Sequence, residues 1–290
     1  MGTSAHVVVL GGPSGLEHEA AARIADLESR WTRFDPNSEL SKLNRAPPES
    51  VVHLSPDTYR LVDCAVAAWQ RTAGRYDPTV LAAVEANGYD RTFSALPADR
   101  DDVEPLPQPA PGCARMTLDE QARTITVPAG VGIDPGGIGK GLAADIVAEE
   151  LVAAGAEGVL IDLGGDIRVA GTGPEDGNWI IDIEHPLDAG RTLLHLAVRD
   201  AGIATSSRLR RQWHRNGVNR HHLIDPATGR PIVTPLVAAS VIASEAWWAE
   251  ALTKVIFVTG NLDTISDASA VAVDELGTRT ATRDLIELLS

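Results

Sequence analysis

A chain of 290 residues with 44% hydrophobic content is long enough to bury a core as one large domain or two modest ones. A formal net charge of -15 surrounds it with a negative field, which disfavours nucleic acid and anionic lipid as partners unless a basic patch overcomes it. Cys64 and Cys113, the two cysteines, supply neither metal-ligand spacing nor a disulfide framework. The first apolar run is too short to cross a bilayer and lacks the flanks of a signal peptide. Together these features predict a cytoplasmic globular protein with no nucleic-acid partner and no membrane insertion.

His6 to Leu10 reads as a strand, and Glu17 to Trp31 carries Ala, Ile and Leu at helical spacing. Asp35-Pro36-Asn37-Ser38 marks a turn. Ser55 as N-cap with Pro56 in the first turn opens a helix that runs through Trp69 to a stop at Gly74. Arg75 to Thr79 follows as a turn expected to cap a short helix. From Ser94 to Gly112, Pro97, Pro105, Pro107, Pro109 and Pro111 stand among acidic residues, a composition that predicts a surface excursion. Arg115 to Leu118 and Thr124 to Val127 form a candidate hairpin, and a glycine turn near Gly136 feeds a helix over Gly141 to Ala154. Strands are predicted over Val159 to Leu163, Trp179 to Ile183, Leu193 to Val198, Leu236 to Ile242 and Ala270 to Val273. A helix around Trp248 to Phe257 and a short terminal one complete the chain. Strands outnumber helices in the second half and turns join most of them, so the fold class is a mixed α/β fold of α+β type, with antiparallel-rich sheets flanked by helices.

Four constellations carry chemistry. In Asp134-Pro135-Gly136-Gly137-Ile138-Gly139-Lys140-Gly141, glycines allow close backbone approach at a helix start and Lys140 adds a positive charge, which suits a phosphate. A plain strand-to-helix turn fits as well. The P-loop pattern fails, since Gly141 stands where a Ser or Thr must bind magnesium, and the dinucleotide pattern is met only in part by Gly139, Gly141, Ala144 and Asp162. Asp162-Leu163-Gly164-Gly165-Asp166 offers two carboxylates around a glycine pair, readable as a ligand contact or a hairpin turn. Between Ala204-Thr205-Ser206-Ser207 and His221-His222-Leu223-Ile224-Asp225 lie Arg208, Arg210, Arg211, His214, Arg215 and Arg220, a basic cluster expected to meet an anionic ligand or acidic partner. His221 and His222 beside Asp225 are candidates for a general base. Finally, Glu250 and Lys254 fall one turn apart on a helix, an ordinary surface ion pair unless apolar neighbours bury it.

In order along the chain, Met1-Gly2-Thr3 ahead of the first strand, Phe34, Ser38 to Asn44, Gly74 to Thr79, the Asp134 glycine turn with Lys140-Gly141, Leu163 to Asp166, Ala204 to Ser206 and His221 to Pro226 with Thr228-Gly229 resemble the FAD:protein FMN transferase, or ApbE, family. The resemblance implies a single unit over residues 1–290, related to the T-fold, with two lobes and FAD in the cleft between them. It implies FAD contacts at Met1, Phe34, Arg75, Tyr76, Asp77, Gly136, Leu142 and Leu223, with Gly137, Lys140, Asp166, Thr205, Ser206 and His222 as neighbouring candidates. The implied reaction is Mg2+-assisted attack by a Thr or Ser hydroxyl of a client flavoprotein on the FMN-side phosphorus, releasing AMP, with His222 and Asp225 as the catalytic pair. Glu250 and the Gly139 carbonyl are the implied metal ligands.

The sequence departs from the family in the metal helix, where Glu250 and Lys254 replace Asp and Thr, and at Ser207, where a loop glycine is usual. A protonated lysine has no lone pair for a cation. A transferase, a metal-dependent FAD pyrophosphatase and a non-catalytic FAD-binding protein are the three functions these residues allow.

Overall fold

The computed structural model describes residues 2–97 and 99–289; Met1 lies outside them. Six α-helices are present among these residues: α1 (Leu16–Trp31), α2 (Glu39–Asn44), α3 (Pro56–Arg71), α4 (Leu81–Ala86), α5 (Gly139–Ala153) and α6 (Ala246–Thr259). The strands are β1 (Ala5–Leu10), β2 (Val51–His53), β3 (Asp99–Arg100), β4 (Thr117–Asp119), β5 (Thr124–Thr126), β6 (Gly158–Leu163), β7 (Asp166–Gly171), β8 (Trp179–Glu184), β9 (Thr192–Val198), β10 (Ala201–Ser207), β11 (Gln212–Arg215), β12 (Val218–His221), β13 (Ile224–Asp225), β14 (Arg230–Pro231), β15 (Leu236–Ala243), β16 (Ser269–Asp274) and β17 (Arg279–Ala281). The chain divides into two compact units, one built mainly from Leu27–Gly139 and Arg210–Val233, the other from Thr3–Asp26, Lys140–Leu209 and the stretch from Thr234 onward.

The second unit is organised by a seven-stranded sheet in the order β1-β6-β7-β10-β15-β16-β17, antiparallel at every pairing. Next to its central strand β10 lies β15, LVAASVIA, in which all eight residues are buried. Such a run has no polar face to offer water, so both faces of the sheet must be covered. On one face α6 packs against β10 and β15. The β8–β9 hairpin contributes Trp179, Ile181, Ile183, Leu196 and Val198 to a cluster with Val169, Ile203, Val237, Ile242, Val271 and Val273. In β8 the buried Trp179, Ile181 and Ile183 alternate with exposed residues, the period of a strand that covers a core on one side only.

Between β6 and β7 the turn Gly164-Gly165 has φ of 71° and 95°, the left-handed geometry that a two-residue hairpin turn requires and glycine adopts freely. The Asp162 carboxylate accepts the Gly165 amide at 2.7 Å. Asp162 therefore builds the turn, and the partial dinucleotide pattern that included it has no doubly wound sheet to belong to.

In the first unit, Leu40, Leu43, Leu54, Tyr59, Val62, Ile125, Val127, Val131 and Ile133 form the main core, flanked by the sheet β2-β5-β4. Ser55 caps α3 as expected, its hydroxyl accepting the Thr58 amide at 3.3 Å. The Glu39 carboxylate accepts both the Ser55 amide and the Ser55 hydroxyl. The short helix α4 carries no side-chain cap at Val80, contrary to expectation, because Asp77 turns back on Thr79, accepting its amide at 2.8 Å and its hydroxyl at 2.6 Å. The proline-rich stretch is mostly exposed and contributes the two-residue strand β3 to the edge of the sheet β12-β11-β3. That is where a proline-rich segment can pair, since an edge strand needs only one side of its ladder.

Gly202, on the α6-facing side of β10, lets the strand meet the start of that helix: a Cβ there would run into the Ala246 amide nitrogen and the Glu245 carbonyl carbon. Gly202→Ala should lower stability by roughly 1–3 kcal/mol, the usual cost of overpacking, read as a lower thermal midpoint. An unchanged midpoint would contradict this packing.

Candidate active site

Every residue of α6 from Ala246 to Thr253 is buried, and Glu250 shares that environment with no exposed surface. A carboxylate cannot remain there ionised without counter-charge and hydrogen bonds. One oxygen, Oε2, accepts the Gly141 amide at 2.9 Å. The other, Oε1, faces Lys140 Nζ at 3.4 Å and Lys254 Nζ at 3.6 Å. Burial by itself would raise the Glu250 carboxyl, but the two ammonium charges and the Gly141 amide outweigh it and hold the group below the ordinary glutamate range.

Lys140 also pairs with Asp166 Oδ2. Asp166 opens β7 opposite Ala204 of β10, on the same face as Gly202 and Ser206, the face that meets α6. The centre is therefore two carboxylates and two ammonium groups. Its charges are not evenly placed: the carboxylate side chains are 2% and 0% exposed, whereas Lys140 and Lys254 are 21% and 18% exposed. Solvent reaches the lysine side chains and is shut off from the carboxylates.

Two features lock this geometry. A Cβ on Gly141 would run into the Ala246 carbonyl, so only glycine lets the start of α5 approach the start of α6 closely enough for its amide to reach Glu250. Beyond it on α5, Asp145 accepts the Ala246 and Trp247 amides, each at 2.9 Å, satisfying donors that the first turn of a helix leaves without partners. Arg168 lies 3.6 Å from the same carboxylate. Thr253 donates to the Glu250 carbonyl oxygen at 2.7 Å and pairs with the Ser206 hydroxyl at 2.7 Å.

Ser206 and Thr205, both read as ligand contacts, lie in a strand and not in a loop, so they point to opposite faces. Thr205 pairs instead with the Ser240 hydroxyl at 2.8 Å. Ser207 belongs to the same strand, bonded to the Val237 carbonyl at 2.9 Å, which replaces the loop expected there. Leu142 is fully buried in this unit.

Among the described residues no group of three His, Cys, Asp or Glu side chains stands together as a metal-ligand set. Glu250 is ill suited to be one ligand of such a set, with one oxygen on an amide and the other facing two ammonium groups. A divalent cation placed about 4 Å from an ammonium group would meet repulsion on the order of 8 kcal/mol at an effective dielectric of 20. Glu250 therefore does not suit the Mg2+-ligand role that the sequence resemblance implied.

In the first unit, Arg33 and Asp134 form a buried ion pair at 3.1 Å. The Arg33 guanidinium lies 4.2 Å from the Phe34 ring centroid and 4.7 Å from that of Tyr89. Asp134 Oδ1 accepts the Gly136 amide at 2.6 Å, and the Gly139 amide turns back to the Pro135 carbonyl at 2.7 Å. The glycine turn is thus fixed by its own aspartate, Gly137 at its middle. Arg75 is exposed and reaches the Thr72 carbonyl at 3.3 Å; Tyr76 and Asp77 are buried, and desolvation raises the Asp77 carboxyl against its Thr79 hydrogen bonds. Leu223 is a core residue. His221 Nε2 lies 3.1 Å from the Ile232 carbonyl, and His222, half-buried, follows at the end of β12. Asp225 accepts the Ala227 amide at 2.9 Å and the Thr228 hydroxyl at 3.0 Å, so its carboxylate holds a turn.

Three arginines of the basic cluster are paired internally. Arg215 pairs with Asp102 at 2.7 Å and Arg220 with Glu104 at 2.9 Å, both acids of the proline-rich stretch, and Arg208 pairs with Glu275 at 2.7 Å. These arginines pin loops where an anionic ligand was expected. Sequence reading singled out neither Asp145, Arg168, Thr253 nor Arg33. The available signal for Asp145 was a carboxylate set among the apolar residues Leu142 to Ala148 of the helix that follows Lys140.

Desolvation pushes the Asp145 carboxyl up to about 7 from the ordinary 3.8, outweighing its two amide bonds and Arg168. Between those values the folded chain binds more protons than the unfolded one, so this group's contribution to stability is greatest below 3.8 and is lost as pH rises to about 7. Asp145→Asn keeps an acceptor but cannot ionise. Urea midpoints measured at pH 5 and pH 7, about two units apart, should differ less in Asp145→Asn than in the parent; equal differences in the two proteins would contradict the assignment.

Residues 1–272 match the model of the ApbE family. The chain is similar to the FAD:protein FMN transferase of Haemophilus influenzae, 28% identical over 278 residues that cover 90% of this chain and 79% of that one. It is likewise 28% identical to the FAD:protein FMN transferase of Vibrio cholerae, over 84% of this chain and 73% of that one. Among solved structures, the ApbE protein of Thermotoga maritima is similar with a TM-score of 0.85 and 24% identity, covering 99% of this chain and 96% of that one. The flavin transferase ApbE of Vibrio cholerae gives a TM-score of 0.81 at 24% identity, covering 100% and 96%. At these identities the solved structures speak to the fold, a mixed α/β one, while the match along the sequence sets the kinship: the chain belongs to the ApbE family.

Proposed function

We propose that this protein transfers the FMN part of FAD to a Thr or Ser hydroxyl of a client flavoprotein and releases AMP. The observation that carries this reading is the centre at the start of α5, where Lys140 and Lys254 present ammonium groups over the buried Asp166 and Glu250. A pyrophosphate is the part of FAD that such a surface suits, because its charge meets fixed cations beside a helix N-terminus. Relatives named FAD:protein FMN transferase support the same chemistry.

In this reaction the acceptor oxygen forms a new bond to the FMN-side phosphorus. The bond from that phosphorus to the bridging oxygen breaks, and AMP leaves with the electron pair. The hydroxyl proton passes to His222, the base in this reading. Lys140 and Lys254 offset the charge that builds on the phosphoryl and leaving oxygens, the main task of a protein in phosphoryl transfer. Phe34, Arg75, Gly136, Gly137 and Ser206 are proposed as further FAD contacts. Tyr76, Asp77, Leu142 and Leu223 serve by packing and by shaping the turns around them, and Asp225 serves by holding the loop after His222.

Mass spectrometry after incubation with FAD, with and without a threonine-bearing flavoprotein, tests this directly. The expected result is one FMN mass added to the acceptor for each AMP released. Free FMN with AMP and no labelled protein would identify a pyrophosphatase instead, and intact bound FAD a binding protein. His222→Ala should lower transfer by about a hundredfold or more, the usual share of a general base, while FAD affinity stays. Lys140→Met should weaken FAD binding, measured by flavin fluorescence, since it removes one charge from the pyrophosphate; unchanged affinity would remove the pyrophosphate from this centre.

A further inference from the structure

We propose that the Lys254 ammonium is a built-in cation of this centre, so that Glu250 takes no divalent metal and the pyrophosphate is held by two lysines. The inference rests on the FAD reading above and says what supplies positive charge there.

Three observations support it. From Ala246 to Phe257, Lys254 is the single residue that is not buried. A lysine on a helix packed this closely carries a desolvation penalty that an alanine or threonine would avoid, and a neighbouring anion offsets it. That anion is Glu250, whose Oε1 lies 3.6 Å from Lys254 Nζ. Next, Oε1 also faces Lys140 Nζ at 3.4 Å, while Oε2 is committed to the Gly141 amide. Asp166, the other carboxylate of the cluster, is paired with Lys140. Both carboxylates therefore already have cationic partners, and a divalent ion added here would leave the buried centre with excess positive charge. Last, the lysine side chains are the part of the cluster that solvent reaches, while both carboxylates are shut away from it. A metal centre would have the opposite polarity, with carboxylate oxygens turned outward to receive a cation. Side-chain ammonium groups can offset phosphate charge, but unlike Mg2+ they cannot bridge two oxygens in a fixed octahedral frame.

The test uses the full chain, Mn2+ as the probe metal followed by electron paramagnetic resonance, and FAD binding followed by fluorescence in EDTA and in Mg2+. In the parent protein the free-Mn2+ signal should follow the buffer titration with and without FAD, and FAD affinity should be the same in EDTA and in Mg2+. Lys254→Thr should bind FAD at least about tenfold more weakly in EDTA, with recovery on adding Mg2+. Lys254→Arg, which keeps the charge, should stay indifferent to EDTA, and circular dichroism checks that both variants fold. Saturable Mn2+ binding to the parent that Glu250→Gln removes, or a parent whose FAD binding collapses in EDTA, would overturn the proposal. Failure of FAD to bind under any condition would sink the flavin reading alone. The Mn2+ titration would still decide about Lys254, silence supporting the built-in cation and saturation refuting it.

Discussion

A carboxylate with no exposed surface has to find its counter-charge inside the protein, and Glu250 is the residue on which the rest of this centre depends. It sits on α6, a helix buried along one continuous stretch and pressed against the middle of a seven-stranded sheet. To keep it ionised, the fold brings the start of α5 close enough for the Gly141 amide to reach it and places Lys140 and Lys254 on its other oxygen. Close approach of the two helix starts requires the missing Cβ of Gly141, and Asp145 fastens them by accepting two amides from the first turn of α6. The buried pair is thus less a source of net stability than a device that fixes geometry, because its desolvation cost roughly offsets its attraction.

The same arrangement explains how a strongly acidic protein can present a surface for an anion. With a formal charge of -15 the overall field repels phosphate. Close to Lys140 and Lys254 the local charge dominates, since the fields of distant groups are screened within about 10 Å at 0.1 M salt. Among the arginines after β10, Arg215, Arg220 and Arg208 neutralise Asp102, Glu104 and Glu275 and so hold surface segments in place. Positive charge in the sequence was therefore a poor guide to positive charge in the site; exposure after pairing was the relevant quantity.

Much of the scaffold was legible because local chemistry and tertiary packing agree. Ser55-Pro56 caps α3, the glycine pair at Gly164 makes the hairpin, and the apolar run at Leu236 is a buried strand. The short helix Glu39–Asn44 escaped notice because six residues hold too little periodicity. The strand Ala201–Ser207 escaped too, because its small and hydroxylated residues resemble a loop, yet Gly202 faces α6 at a spacing that a larger side chain would block. Order along the chain identified the family, and the resemblance brought Lys140, Asp166 and Glu250 onto one list of site residues. Their mutual geometry could not be read, since it depends on which groups are buried together. Lys254 looked like one end of an ordinary helix-surface pair, and only burial of Glu250 shows that the pair belongs to the interior.

A double-mutant cycle of Glu250→Gln and Lys254→Met, read by urea denaturation, tests this account most directly. If Glu250 is held by the ammonium groups around it, each single change will destabilise the chain and the two together will fall short of the sum by at least about 1 kcal/mol, the scale of coupling for residues in contact. Effects that add to within about 0.5 kcal/mol would mean that Glu250 and Lys254 do not sense each other, and the electrostatic core of the account would fail.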